Sequence, residues 1–407
     1  MNNPDLTSKR RSAERRFKYY GLAAIAVTGI FLAVLILDII IKALPAFTVN
    51  QLMLPVTIDA ASVDATNPAA GDFPGLIKDA LAKEFPDVQS RGDKKKLNGI
   101  LSARAADGLQ EKVTKDPSLI GKTVALPVSL SSSADLYLKG HGDAQTDEKQ
   151  SAWLDKLKDK GFIQHGFAWS FFTQGDSREP ESAGIKGALI GSILVICVTL
   201  MFALPIGVAA ALYLEEFAPK NRVTDLIEVN INNLAAVPSI IFGLLGLAVF
   251  LNGFSLPRST ALVGGLVLAL LVLPTIIIAS RAAIRSVPPS IKEAALGVGA
   301  SHMQAVFHHV LPLAVPGILT GTILGVARAL GETAPLLMIG MIAFIVDVPH
   351  GFTDAATVLP VQVFLWSDLP EEAFKSRTAA AILVLLVLLF CINALAIYLR
   401  NKFERRW

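Results

Sequence analysis

Arg328 and Glu332 are charged residues in an otherwise apolar stretch, Gly317-Ile-Leu-Thr-Gly321-Thr-Ile-Leu-Gly325-Val-Ala-Arg328-Ala-Leu-Gly331-Glu332. A helix turns about 100° per residue, so Gly317, Gly321, Gly325, Arg328 and Glu332 share roughly 80° of one face. A charge in the middle of a membrane helix costs at least about 2.5–3.5 kcal/mol and therefore faces a partner or a water-filled path. The glycines on that face let a second helix approach closely. Two chemistries fit. The two charges can line a water-filled path for a charged solute, or they can form a structural ion pair that locks helices together. We favour the pathway for a charged solute.

Both groups sit in a chain built largely of membrane spans. The chain has 407 residues, of which 53% are hydrophobic, and a mean hydropathy of +0.53, too apolar for an ordinary soluble protein. Runs of about 20 apolar residues predict helices at 21–43, 187–214, 232–252, 260–280, 313–345 and 378–399. The fifth should break near Pro335, which cannot donate to the carbonyl of Gly331. The expected fold is an all-α polytopic membrane protein of about six transmembrane helices, with a small α+β domain inserted after the first.

Charge placement predicts sidedness. Lys9, Arg10, Arg11, Arg15, Arg16 and Lys18 precede the first run, which is too long for a signal-peptide core and reads as a retained anchor with its N-terminus in the cytoplasm. Arg400, Lys402, Arg405 and Arg406 place the C-terminus on the same side. The loop 281–312, with Arg281, Arg285 and Lys292 against Glu293, is expected inside. The loop 346–377, rich in Asp and Glu, is expected outside. The predicted organisation is a basic tail and first helix over 1–44, an extracytoplasmic block over 45–185, a membrane core over 186–400, and a cytoplasmic tail over 401–407. The net charge of +3 is unevenly distributed and points to no nucleic-acid partner. Cys197 and Cys391 lie in apolar runs, imply no disulfide framework and read as small packing residues.

Within 45–185, Leu52, Leu54, Val56 and Ile58 alternate with other residues, as do Val124, Leu126, Val128 and Leu130, the pattern of half-buried strands. Pro55 and Pro127 should confine both to edges or bulges. Helical spacing is predicted at 74–85, 95–114 and 150–161. Gly121-Lys122-Thr123 looks like the end of a phosphate-binding loop, but Asp116 occupies the upstream glycine position, so nucleotide binding is not expected there. His141 and His165 are isolated, and no metal site is expected.

The loop 281–312 carries a second signal: Pro288-Pro289-Ser-Ile-Lys-Glu293-Ala294-Ala295-Leu-Gly-Val-Gly299-Ala300, followed by Leu311-Pro312. The prolines suit a helix start with Ser290 as cap and Glu293 in the first turn. Gly299 permits a bend into a second short helix over 301–310. A helix–bend–helix with small Ala294 and Ala295 is a compact knob for another protein's groove; the plainer reading is an amphipathic surface helix. These residues resemble the EAA loop of ABC importer permeases, in which Glu293, Ala294, Ala295 and Gly299 would couple the membrane subunit to a cytoplasmic ATPase. His309 departs from that pattern, standing where the family usually has an aliphatic residue.

Three further motifs resemble the A-type (PstA) permeases of bacterial phosphate importers: Val237-Pro238-Ser239-Ile-Ile-Phe242-Gly243, Leu273-Pro274-Thr275-Ile276, and Arg328-Ala-Leu-Gly331-Glu332-Thr333-Ala334-Pro335. The resemblance spans roughly 185–400 and leaves the N-terminal extension and the insertion unassigned. It implies a bacterial inner-membrane subunit that translocates phosphate by alternating access, with Arg328 and Glu332 in the substrate pathway. It implies no cofactor or catalytic residue in this chain. The partners would be a second related permease, two ABC ATPases, an extracytoplasmic phosphate-binding protein and membrane lipid. The alternative substrate is another oxyanion such as sulfate or molybdate. An ion-coupled carrier would show internal repeats, and a membrane-anchored sensor would leave the EAA-like loop without a role.

Overall fold

The protein is described from a computed structural model covering residues 4–59, 62–63, 68–140 and 146–403, with backbone alone for 4–12 and 69. His141, Arg405, Arg406 and the side chains of Lys9, Arg10 and Arg11 lie outside the described residues. Helix α1 (Pro4–Ala43) runs from the basic segment through the first apolar stretch without a break. Its large apolar side chains, Ile25, Phe31 and Leu37 among them, are exposed except for Ile39 near its end, which is partly buried against Ala379–Ala381 and their neighbours. A long apolar helix whose only sizeable packing is against the helix Glu372–Phe403, with the rest of its apolar surface open, has lipid as its natural solvent.

A 3-10 turn at Leu44–Phe47 leads into β1 (Thr48–Thr57). There follow α2 (Phe73–Glu84), α3 (Arg91–Asn98), α4 (Asp107–Lys115), β2 (Thr123–Ser129), α5 (Ser132–Leu138), α6 (Glu148–Asp159) and β3 (Ile163–Phe167). The sheet is antiparallel with strand order β2-β1-β3. Its register sets Leu52 opposite Val128, Leu54 opposite Leu126 and Val56 opposite Val124. These alternating residues form a core with Phe73, Ile77, Leu81, Leu97, Leu154 and Leu157 from the helices.

Two expectations for this domain need correction. The helix expected over 95–114 is split after Asn98, because the chain turns back to the sheet. Leu101 bridges Leu130, and Ser102 N–H donates to the Ser129 carbonyl at 3.0 Å. Pro55 stands in the central strand, not on an edge. It is tolerated because β3 pairs only with Thr48–Leu52, so β1 has an open side by the time it reaches Pro55. Gly121 takes a left-handed turn (φ +84°) into β2, so the residues that imitate a phosphate loop open a strand and no helix. His165 is exposed on β3.

The short α7 (Trp169–Thr173) leads to the membrane helices α8 (Lys186–Leu212), α9 (Arg222–Ala235), α10 (Ser239–Gly246) and α11 (Ala261–Arg285). Next come α12 (Pro289–Gly297), α13 (His302–Ala305), α14 (Leu311–Gly331), α15 (Ala334–Met338), α16 (Leu359–Ser367) and α17 (Glu372–Phe403). Among the described residues five helices are long and apolar enough to cross a membrane, and a sixth span arises if α9 and α10 count as one. That pair corrects the continuous span expected at 232–252. It bends by 102° at the Val237-Pro238 break, because a residue before proline is pushed out of the helical region and Pro238 itself caps α10. The fifth run breaks at Glu332 and Thr333, and Pro335 lies in the first turn of α15.

Helix α11 is the centre of the membrane half. Its residues Val267, Leu271, Val272 and Ile276 are buried, and it packs against α8 and α14. Thr199 on α8 bonds across to the Gly265 carbonyl on α11 at 3.2 Å. Cys197 and Cys391 are exposed, which corrects their reading as packing residues; both lie on faces that neighbouring helices leave open.

Insertion and membrane half meet at Arg377, near the start of α17, which is 7% exposed. Its guanidinium donates to the carbonyls of Ala46 (3.4 Å) and Glu181 (3.3 Å) and lies over the Phe171 ring. Beside it Lys139 donates to the carbonyls of Pro45 and Thr48 and to Asp135 Oδ2. Burial pushes Lys139 down from its ordinary pKa, and Asp135 works against that shift. Burial likewise raises Glu181.

Candidate functional site

The glycine face of α14 lies against α11. A Cβ added at Gly317 would stand 2.6 Å from Ala283 Cβ, and one at Gly321 would come closer still to Ala279 Cβ. Gly325 is looser, 3.5 Å from Ile276. The close approach is therefore concentrated in the first half of α14, as small-residue packing requires.

Arg328 occupies the last turn of α14, where its charge also suits the helix C-terminus. Its Nε lies 3.6 Å from Glu332 Oε1, with the arginine side chain 37% exposed and the glutamate 19%. The backbone leaves the helix at Glu332 (ψ 124°), so the carboxylate sits on the break and not on a continuing helix. The next short helix, α15, lies directly on α10: a side chain at Gly243 would meet Pro335 Cα at 2.7 Å. The Val-Pro-Ser segment and the Arg328–Pro335 segment, about 90 residues apart in sequence, thus meet through Gly243 and Pro335. This arrangement offers a half-exposed guanidinium, held by one carboxylate, at the edge of a broken helix.

The second group lies at the other end of α14, roughly 26 Å away at 1.5 Å per residue. Pro288 caps α12 and Pro289 opens it. Ser290 is thus inside the helix and does not cap it, and Glu293 lies beyond the first turn; both are corrections to the sequence reading. The helix ends in a Schellman arrangement, with Ala300 N–H bonding the Ala295 carbonyl (3.1 Å) and Gly299 N–H the Leu296 carbonyl (3.0 Å). Gly299 has φ +93°, a conformation that costs any other residue strain. Ser301 and Gln304 then form a capping box for α13. The second helix expected over 301–310 is not separate, since a π-helical turn at Val306–Val310 carries α13 straight into α14. Ala295 is buried while Glu293, Ala294 and Gly299 face outward, with Val298, Met303 and Phe307 exposed around them.

Sequence reasoning missed what holds this loop. A π-helical turn at Tyr213–Phe217 ends α8 and presents Glu215 and Glu216. Glu215 pairs with Arg281 (2.5 Å) and Arg285 (2.7 Å), and Arg281 also pairs with Glu228 on α9 at 2.5 Å. Glu216 pairs with Lys292 on α12 at 2.5 Å, its carbonyl contacts His302 Nε2 at 3.0 Å, and Phe217 meets the His302 ring edge-on. Arg281 and Arg285 stand in the last turns of α11, not in the loop where they were counted. Their i,i+4 spacing and the Glu215-Glu216 doublet are visible in the sequence, but their pairing spans 66 and 70 residues.

A profile described as "Binding-protein-dependent transport system inner membrane component" matches residues 203–406, and one described as a domain of unknown function (DUF3333) matches residues 5–148. The chain belongs to the first of these families, the membrane permeases of ABC transporters. Among its relatives within that class are phosphate permeases. It is 31% identical over 240 residues to "Phosphate transport system permease protein PstA 1" of Mycobacterium tuberculosis, covering 58% of this chain and 77% of that one. It is 28% identical over 235 residues to the PstA protein of Haemophilus influenzae, covering 58% and 81%. "Probable ABC transporter permease protein YqgI" of Bacillus subtilis is 37% identical over 172 residues, 42% of this chain and 58% of the relative's length. Among solved structures, the inward-facing MetNI methionine ABC transporter aligns with 17% identity and a TM-score of 0.43, covering 54% of this chain and 96% of that one.

Proposed function

We propose that this chain is one membrane half of an ATP-driven importer of inorganic phosphate in a bacterial inner membrane. The observation that carries this reading is the half-exposed guanidinium of Arg328 at a helix break, in a chain 31% identical to a phosphate permease. Phosphate carries between one and two negative charges near neutral pH, and a guanidinium meets it with a two-pronged fork that is strengthened where water is scarce. Glu332 holds the guanidinium when the path is empty and competes with phosphate for it, which keeps binding weak enough for release. Gly317, Gly321 and Gly325 serve as the packing face that seats α14.

The loop carrying Glu293, Ala294, Ala295 and Gly299 docks on one of two separate cytoplasmic ATPases, where ATP is hydrolysed. Val298, Met303 and Phe307 supply the apolar contact. A second, related permease completes the pore, and an extracytoplasmic binding protein delivers phosphate. Both termini and the 281–312 loop lie in the cytoplasm, and the 45–185 domain lies outside. Force from the ATPase enters through Lys292 and His302, crosses Glu216 and Glu215, and reaches α8, α9 and α11 together. The two membrane halves therefore rock open and closed as bodies. No nucleic acid or cofactor takes part in this cycle.

The test is uptake by the reconstituted complex with loaded binding protein, ATP and excess sulfate. ATP-dependent phosphate uptake that ignores sulfate supports the reading. Uptake suppressed by sulfate, or uptake without ATP, overturns it.

A further inference from the structure

Five aromatic rings gather where α1 leaves the apolar stretch. Phe47 closes that stretch and stacks on Phe172 at 6.0 Å. Phe172 stacks on Phe167 at 6.0 Å, and Phe167 meets Trp169 edge-on at 4.9 Å. Phe171 joins Phe47 at 5.8 Å on the inner side and reaches Trp366 of α16, anchoring the row to the membrane half. Backbone pairing fixes the level of the row. Thr48 lies opposite Phe167 in the sheet, and Ala168 N–H bonds the Phe47 carbonyl at 2.9 Å.

The outer members are not covered. Trp169 is 69% exposed, Phe167 47%, Phe172 36% and the neighbouring Leu44 57%. A contiguous aromatic strip of this kind is costly in water and marks an interaction surface. The occupant follows from continuity. Leu44 continues the open apolar side of α1, which is solvated by acyl chains, and the partly buried Phe47 follows it into the row of rings. A row of rings at the end of a lipid-facing helix, led by a tryptophan, has the chemistry of the headgroup boundary, where amphipathic rings concentrate.

We propose that Phe47, Phe167, Trp169 and Phe172 form a foot by which the inserted domain rests on the lipid interface, with Trp169 at the level of the headgroups. The end of β3 and the start of α7 then lie on the bilayer, and the domain is held against the membrane instead of swinging above it. The inference rests on α1 being a span and not on the identity of the transported solute, so a failed phosphate assay leaves it intact.

The test is fluorescence of the full chain in proteoliposomes of phosphatidylcholine brominated at shallow or deep acyl positions. The parent is compared with Trp169→Phe, which keeps an aromatic ring and leaves the other three of the chain's four tryptophans in place. The emission that disappears with Trp169 should be quenched strongly by shallow bromines, less by deep ones, and little by aqueous acrylamide. Strong acrylamide quenching with no lipid effect would mean the strip faces water, and resistance to both would mean protein covers it; either overturns the proposal. A nitroxide on Trp169→Cys, with Cys197→Ser and Cys391→Ser removing the other thiols, gives an independent reading. Its oxygen-to-nickel-chelate relaxation ratio should lie above that of the same label on a water-exposed site of the domain and below that of one in the middle of α1, and a ratio equal to the water-exposed site's would also overturn the proposal.

Discussion

Glu215 Oε1 lies 2.5 Å from Arg281 Nε, and both side chains are about nine-tenths buried, at 10% and 9% exposure. The pair fastens the end of α8 to the end of α11 at the point from which the 286–310 loop hangs. Removing Glu215 takes one of the two carboxylates that balance the buried Arg281 and leaves the partly exposed Glu228 as the other, which costs part of the about 3–5 kcal/mol of fully stranding a buried charge. Glu215→Ala should therefore lower the melting temperature of the purified chain markedly. Arg285→Ala removes a 62% exposed partner of the same carboxylate and should cost less than about 1 kcal/mol. Equal melting shifts for the two variants would show that burial of Arg281 plays no part.

Gly299 tests the bend separately from the clamp. Any side chain there must adopt φ +93°, at a cost of at least about 1–2 kcal/mol, more for a β-branched residue. A Cβ at this position meets nothing nearby, so the effect comes from backbone strain and not from a clash. Gly299→Val should leave the membrane half folded while reorienting α12 relative to α13. The expected result is ATPase activity in the reconstituted complex that no longer responds to the loaded binding protein, with assembly preserved on gel filtration.

Gly321 and Gly325 share a helix face but not a fate. At Gly321 an added methyl runs into Ala279; at Gly325 it finds ordinary contact distance to Ile276. Gly321→Ala should destabilise by about 1–3 kcal/mol through overpacking, and Ala279→Gly should restore much of that loss. Gly325→Ala should be close to neutral. Thermal unfolding of the three variants and the double variant decides the matter, and absence of rescue would place the strain elsewhere.

For Arg328 the informative comparison is alanine against lysine. Losing a charge-assisted contact worth about 1.5–3 kcal/mol should reduce phosphate uptake by about 10- to 100-fold in Arg328→Ala. Arg328→Lys keeps the charge and loses the fork, so its flux should fall between the two. Normal uptake by Arg328→Ala would remove this residue from the path.

Asp176 gives a dependence on pH. Burial raises its pKa above the ordinary 3.8, opposed by bonds from the Trp366 indole and the Ser177 backbone. The Trp366 indole donates to its Oδ1 at 2.9 Å. In the window between 3.8 and the raised value the folded state binds more protons than the unfolded one, so stability falls as pH rises. Asp176→Asn keeps an oxygen for the indole and abolishes the titration. The melting temperature of the parent should therefore drop relative to that of Asp176→Asn as pH rises through the window. Parallel profiles would refute the shift.

Local spacing carried the features that depend on neighbours in the chain. Arg328 and Glu332 stand four residues apart and meet at 3.6 Å. The alternation through Leu54 and Leu126 survives as paired strands. The bend at Val237-Pro238 was written in the dipeptide itself, yet hydropathy averaged over 232–252 conceals a backbone constraint. Strand β3 has no alternation to read: Gln164, His165, Gly166 and Phe167 are all exposed, and it is a strand because β1 offers it an edge. The clamp was hidden for a third reason. Glu215 and Arg281 each look like a charge at the end of an apolar run, and only the packing of α8 on α11 makes them partners.

Arg377 gathers the exit of α1, the approach to α8 and the beginning of α17 onto one guanidinium, through Ala46, Glu181 and its own helix. In mechanical terms it is a rivet: one side chain ties three stretches far apart in the sequence, so its loss would loosen the inserted domain, the approach to α8 and the start of α17 together.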